Sequence, residues 1–179
     1  MHDLPFMLIG GQAVLLHGEP RLTHDIDVTL RAPPSRLDDV LAACAEMGLR
    51  PLPADAESFV RDTFVLPCAD EQTEIRVDLI FSTTPFESEA IDRAVRVDVA
   101  GVAVPFATAE DLVLHKLFAG RPRDLEDARG VVRRKGDELD WAYMRRWAEQ
   151  FAEIPGRERM LPWLDELSEG RADPGARGP

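Results

Sequence analysis

The segment Asp25-Ile26-Asp27-Val28-Thr29-Leu30 constrains the fold more than any other stretch of this 179-residue chain. Polar and apolar residues alternate along it, the period of a β-strand with one buried face. Residues two apart on a strand project to the same side, so Asp25 and Asp27 stand together while Ile26 turns into the core. Two carboxylates held that close repel each other unless a cation lies between them. Mg²⁺ meets that need, because it takes one or two carboxylates and completes its shell with water and phosphate oxygens. A third carboxylate, Asp78, interrupts the otherwise aliphatic strand Arg76-Val77-Asp78-Leu79-Ile80-Phe81. If the two strands are neighbours, three carboxylates converge on one sheet face and can hold two metals about 4 Å apart. Each signal also has a plainer reading: a solvated strand edge for the Asp pair, and an ion pair with Arg76 for Asp78. A calcium loop beginning at Asp25 is excluded, since its sixth and twelfth positions are Leu30 and Arg36, where Gly and Glu are required.

Upstream, Ile9-Gly10-Gly11-Gln12 places paired glycines between a short apolar strand, Phe6–Ile9, and a short helix, Gln12–His17, closed by Gly18. Backbone N–H groups and the helix dipole at such a junction can cradle a phosphate, and the missing side chains let it approach. The pattern is neither a Walker loop nor GxGxxG, and by itself it is also compatible with a simple tight corner.

The rest of the chain reads as alternating strands and helices. Ser35 is expected to cap a helix that Gly48 stops, with Asp38 completing the capping pair. Phe59–Leu66 and Ile75–Phe81 read as strands joined by the polar segment Ala69–Thr73, and a short helix covers Phe86–Ala94. Val95–Val99 and Val102–Val104 flank Ala100-Gly101 as a hairpin. Beyond Pro105 only helices are expected: one capped by Thr108 with Asp111, then about Asp124–Lys135, Asp140–Ile154 and Arg157–Leu167. The fold class is therefore α/β, with a mixed sheet flanked by helices in residues 1–105. A C-terminal helical extension over 106–167 packs on that core, and a Gly- and Pro-rich tail, 168–179, is expected to be disordered.

The formal net charge of −12 opposes diffuse binding to nucleic acid, which needs many cations to displace phosphate counterions. Two cysteines, Cys44 and Cys68, lie outside any CxxC spacing and give neither a disulfide framework nor a thiolate zinc site. The apolar stretch Leu4–Leu16 is broken by glycines and follows no basic residues. It reads poorly as a signal peptide, nothing reaches membrane-span length, and the cytoplasm is the expected compartment. His2, His17, His24 and His115 show no metal-ligand spacing and read as structural or surface residues, although His24 adjoins the carboxylate strand. Arg129, Arg133, Arg134, Lys135, Arg145 and Arg146 read first as a solvated helix face, and otherwise as a landing surface for a tRNA end or an acidic partner. The aromatic residues Trp141, Tyr143, Trp147, Phe151 and Trp163 read as helix packing.

Taken together, Gly10-Gly11-Gln12-Ala13, His17-Gly18, Arg21, Thr23 and Asp25-Ile26-Asp27 resemble the polymerase-β-like nucleotidyltransferase superfamily, and within it the AbiE-type toxins and related minimal bacterial enzymes. A second block resembles that branch as well: Ala109-Glu110-Asp111-Leu112, Lys116-Leu117, Ala119, Arg121, Arg123-Asp124-Leu125 and Asp127. The resemblance covers roughly Phe6 to Val132. It implies the nucleotidyltransferase fold, and transfer of a nucleotide from an NTP to a hydroxyl acceptor with pyrophosphate leaving. In that implied site Asp25, Asp27 and Asp78 bind two Mg²⁺ ions, and Asp78 also draws the acceptor's proton, directly or through the metal. Gly10 and Gly11 hold the triphosphate, Lys116 neutralises phosphate charge, and Arg21 and Thr23 contribute to nucleotide binding. The acceptor is open between a small molecule, a protein hydroxyl and a tRNA end. A toxin role with a cognate antitoxin is also implied, although the chain lacks that branch's large helical C-terminal lobe. Two readings compete with transfer: metal-dependent phosphoester hydrolysis, and a non-catalytic nucleotide-binding or protein-interaction module that kept the fold. Lys116 can also be a snorkelling or helix-terminal charge. Asp124 reads first as a helix N-cap and second as a site residue, with Asp127 in the first turn behind it, and both can pair with Arg121 or Arg123.

Overall fold

The computed structural model describes residues 4–171. They gather into two compact units, one made of residues 4–12 and 22–107, the other of residues 13–21 and 108–171. Helix α1 (Gly10–His17) carries the division within it, and the stretch 13–21 groups with the helical unit.

The first unit holds a mixed seven-stranded sheet, as the α/β pattern implied. Its strands are β1 (Phe6–Leu8), β2 (Asp25–Arg31), β3 (Leu49–Pro51), β4 (Val65–Asp70), β5 (Arg76–Ser82), β6 (Val95–Val99) and β7 (Val102–Phe106). They lie in the order β3-β4-β5-β2-β1-β7-β6. The β2–β5 and β1–β7 pairs are parallel, and the other pairs are antiparallel. Helices α2 (Leu37–Met47), α3 (Ala56–Thr63) and α4 (Pro85–Arg93) complete the unit.

Alternation along the central strands decides which side chains meet. Val77, Leu79 and Phe81 of β5 share a core with Leu30 of β2, Val40 and Cys44 of α2, and Val60 of α3; Ile26 and Val28 pack against it. Ile80, out of phase with them, packs instead against Ala90 and Ile91 of α4, together with Met7 and Ile9. Asp25, Asp27 and Asp78 share the phase of Ile80 and so project to the α4 side. Burying a Val, Leu or Phe side chain contributes about 1.5–3 kcal/mol. A one-residue slip of β5 would turn Val77, Leu79 and Phe81 outward and Asp78 into the core, so their burial fixes where the carboxylate points.

Several local expectations are corrected. Ser35 does not cap a helix: Pro33 and Pro34 set up a single 3₁₀ turn, Pro34–Arg36, that places Ser35 inside the turn, and neither terminus has a side-chain cap. Gly48 does end α2, in the left-handed conformation at φ +71°. Phe59–Thr63, expected as strand, is helical, because Asp55 accepts a hydrogen bond from Ser58 N at 2.9 Å and caps α3. The strand starts only at Val65, after Phe64 at φ +60°. The three-residue β3 was not anticipated. The expected hairpin forms about Ala100 and Gly101, whose φ of +53° and +86° suit a turn matching the strand twist.

The second unit adds α5 (Ala109–Ala119), α6 (Pro122–Lys135), α7 (Trp141–Ala152) and α8 (Met160–Arg171). Thr108 caps α5, accepting from Asp111 N at 3.2 Å and donating to the Asp111 carboxylate at 2.7 Å. Asp140 caps α7 by accepting from Tyr143 N at 2.9 Å. Pro122 opens α6 with Arg121 at the cap position, so Asp124 lies in the first turn and is not the N-cap. Leu112, Leu114, Leu117, Met144, Met160 and Leu164 are fully buried here. Phe151 meets Phe118 edge-on at 5.2 Å and stacks on Trp147 at 5.9 Å. Helix α8 continues through Ser168 to Arg171, where the sequence expected a tail; residues 172–179 lie outside the described residues. No helix among the described residues is long and apolar enough to cross a membrane.

Candidate active site

The parallel register sets Asp27 directly beside Asp78 and Asp25 beside Arg76. Oxygen atoms of Asp25, Asp27 and Asp78 all lie within 4.8 Å of one another, and each residue is partly exposed. Carboxylate oxygens are hard donors, and three on one open face fit a hard divalent ion such as Mg²⁺. Thr23 Oγ1 donates to Asp25 Oδ1 at 2.8 Å and fixes its orientation. Arg76 Nε donates to Asp78 Oδ1 at 2.9 Å. That bond and the charges of Asp78, then Asp25 and Asp27, raise the Arg76 guanidinium above its ordinary value.

The glycine corner lies against the same side chains. Ile9 N donates to the Asp27 carbonyl at 3.0 Å, carrying the chain past β2 as it turns into α1. A Cβ on Gly10 would stand 1.8 Å from Asp27 Oδ2, and Gly10 has φ +61°. A Cβ on Gly11 would stand 2.3 Å from Thr23 Oγ1. Both glycines are therefore demanded by the neighbouring site residues, beyond any need for a turn. Gly10, Gly11, Thr23, Asp25, Asp27 and Asp78 thus form one cluster in the sheet unit.

Arg21 and Lys116 belong to a separate cluster in the helical unit. Lys116, 6% exposed, places Nζ 3.1 Å from Asp124 Oδ1 and 2.9 Å from Asp127 Oδ2. Arg21 forks onto Asp127 through Nε at 2.9 Å and Nη2 at 3.0 Å, and Arg121 Nε reaches Asp124 at 2.5 Å. Burial pushes both carboxyls up, but the hydrogen bonds and charges of Arg121 and Lys116 at Asp124, and of Arg21 and Lys116 at Asp127, outweigh it and hold both below their ordinary range. The bond joining Arg21 to Asp127 spans 106 positions. No local spacing signals it; in the sequence Arg21 and Asp127 stand only as members of the two separate blocks that carry the family resemblance.

The other candidates fall to packing and surface roles. His24 is exposed and His17 buried. Arg133 pairs with Glu19 at 2.6 Å, Lys135 with Glu138 at 3.4 Å, and Arg145 with Asp165. Arg146 lies over the rings of Tyr143 and Trp147 at 5.2 and 5.0 Å. These contacts fit the solvated-face reading of the basic residues. Cys44 and Cys68 are free and buried.

Among solved structures, the chain is similar to an antigenic nucleotidyltransferase-like protein from Paracoccidioides brasiliensis, at 13% identity and a TM-score of 0.54, over 96% of this chain and 82% of that one. It is also similar to ANT(2″)-Ia in complex with adenylyl-2″-tobramycin, at 16% identity and a TM-score of 0.51, over 96% of this chain and 90% of that one. At these identities the likeness establishes a shared fold. No curated protein matches the sequence. The family described as "Nucleotidyltransferase of unknown function (DUF6036)" matches residues 1–160, and the chain is an enzyme belonging to that nucleotidyltransferase family.

Proposed function

We propose that this enzyme moves an NMP group from an NTP to a hydroxyl on a small molecule, using Mg²⁺ held by Asp25, Asp27 and Asp78. The observation that carries the reading is the convergence of three carboxylates within 4.8 Å, on a glycine corner with no room for a single Cβ. Bound there, Mg²⁺ would offset the charge of the donor phosphates. The protein's own groups do the rest. Backbone N–H groups of the Gly10-Gly11 corner, at the start of α1, would receive the triphosphate. Thr23 holds Asp25 in place. The acceptor oxygen attacks the α-phosphorus, its bond to phosphorus forms as the bond to pyrophosphate breaks, and the Asp78 carboxylate takes the hydroxyl proton. Such a reaction is accelerated mainly by positioning and by stabilising charge.

Two features favour a small acceptor. The net charge of −12 suits a cationic small molecule better than a polyanion, and the similar ANT(2″)-Ia fold is seen with an adenylylated tobramycin. Arg21 and Lys116 have carboxylate partners of their own, so phosphate recognition is assigned to the glycine corner. The AbiE-type toxin role, with a cognate antitoxin, rests on sequence resemblance alone.

Purified protein incubated with labelled NTPs, Mg²⁺ and either an extract's small-molecule fraction or its tRNA tests the reading. Label passing to the small-molecule fraction, and lost in Asp25→Ala and Asp27→Ala, is the expected result. Label on tRNA would transfer the assignment to the toxin-like branch, and undiminished transfer by both variants would overturn the site.

A further inference from the structure

Arg76 is the site feature that the transfer reaction leaves unused. Its guanidinium is bonded to Asp78, a proposed metal ligand, at 2.9 Å, and its backbone lies beside Asp25. The pair is unequal: 55% of the Arg76 side chain is exposed against 17% for Asp78. Among the described residues, Asp78 is the side-chain partner of Arg76, so swinging the arginine away disturbs no core packing. Three carboxylates within 4.8 Å need positive charge near them, and Arg76 supplies it from the same strand.

We propose that Arg76 is a resident counter-cation of the carboxylate cluster, giving way when a divalent ion binds and then gripping the phosphates of the nucleotide donor. The inference rests on the metal-dependent transfer proposed above. A guanidinium beside the ion's position opposes binding in two ways. It occupies one oxygen of Asp78, and it repels the incoming charge. Once the ion holds Asp78, the released fork keeps its donors on a half-exposed side chain, and its planar shape suits phosphate oxygens. The residue thus trades one anion for another across the catalytic cycle.

Mn²⁺ titration of the full chain followed by electron paramagnetic resonance, without nucleotide, reads the first half directly. Arg76→Ala should tighten Mn²⁺ binding about 3- to 10-fold, the scale of one nearby, partly screened charge. Arg76→Lys, which keeps the charge, should return most of the wild-type affinity. Unchanged or weaker Mn²⁺ binding in Arg76→Ala would overturn the proposal. With Mn²⁺ saturating, a non-hydrolysable ATP analogue should bind Arg76→Ala several-fold more weakly, and an unchanged analogue affinity would overturn the phosphate role. Asp27→Asn serves as the reference. If the wild type itself bound no Mn²⁺, or bound it as Asp27→Asn does, the metal reading of the whole site would fail, a result distinct from failure of the Arg76 exchange.

Discussion

Replacing Gly10 by alanine separates the demand of the site from the demand of the turn. Two costs arise. An L-residue in the left-handed region costs about 1–2 kcal/mol, and Gly10 has φ +61°. The new Cβ would also lie 1.8 Å from Asp27 Oδ2, and real Cβ atoms essentially never come under 3.0 Å, so the carboxylate must retreat by the difference, 1.2 Å. Forcing Asp27 off its rotamer adds about 0.5–1.5 kcal/mol, and misplacing a catalytic group by about 1 Å can lower the rate on the order of 100-fold. Gly48 is the control: it has φ +71° and nothing within 4 Å of an added Cβ. Gly48→Ala therefore bears the backbone strain alone, with a melting temperature lowered by a few degrees, at about 2–4 °C per kcal/mol for a chain of this size. Nucleotidyl transfer and Mn²⁺ affinity should collapse in Gly10→Ala and stay at wild-type levels in Gly48→Ala. Equal activity in the two variants would refute the claim that the corner is shaped around Asp27.

The helical unit offers further tests. Removing the Asp127 carboxylate takes from Lys116 one of its two carboxylates and from Arg21 its forked partner, so Asp127→Ala should lower stability by about 1.5–3 kcal/mol in a urea melt, the scale of a hydrogen bond to a charged group; a loss under 1 kcal/mol would contradict the network. Asp124 and Asp127 titrate below the ordinary value of 3.8 in the folded chain. The unfolded state therefore takes up protons first as pH falls, and the stability these groups give is whole above about pH 4 and is lost on further acidification through their folded values. Urea midpoints should fall below pH 4 in the wild type and fall less steeply in Asp127→Asn; parallel slopes would argue against it. Ala100 holds φ +53° in the β6–β7 turn, so Ala100→Gly should relieve about 1–2 kcal/mol of left-handed strain against about 0.5–1 kcal/mol of added chain entropy, a net gain of up to about 1 kcal/mol that raises the melting temperature modestly. A lowered value would mean that chain entropy outweighs the strain.

What could be read in the sequence was whatever repeats with a short period. The alternation around Asp25 and Asp27 and the lone charge at Asp78 named two strands and their polar side, and the register set Asp27 beside Asp78. Thr108 and Asp140 marked helix starts, because a cap is chemistry within three residues. Phe59–Thr63 departs from the expected strand, because apolar pairs such as Phe59-Val60 and Val65-Leu66 suit either period; Val65-Leu66 is strand, and the deciding signal upstream is one capping carboxylate, Asp55. Asp124 differs for a related reason: a carboxylate just before a helix reads as a cap, and its ion pairs with Arg121 and with the buried Lys116 of the preceding helix emerge only in the fold. Arg76 is visible as a partner for Asp78, but a sequence cannot show that the same guanidinium also feels the charges of Asp25 and Asp27.

Asp27 and Asp78 come from strands that are neighbours in the sheet but far apart along the polypeptide. An unfolded chain scatters these oxygens and offers no comparable pocket, so any ion they capture counts only toward the native ensemble. By mass action, free ion at about 100 times its dissociation constant deepens native stability by about 2.7 kcal/mol. Denaturation midpoints recorded with and without divalent salt thus test the pocket with no substrate present, and under the metal-dependent transfer proposed above two populations of this enzyme that differ only in cation supply are expected to differ in lifetime as well as turnover.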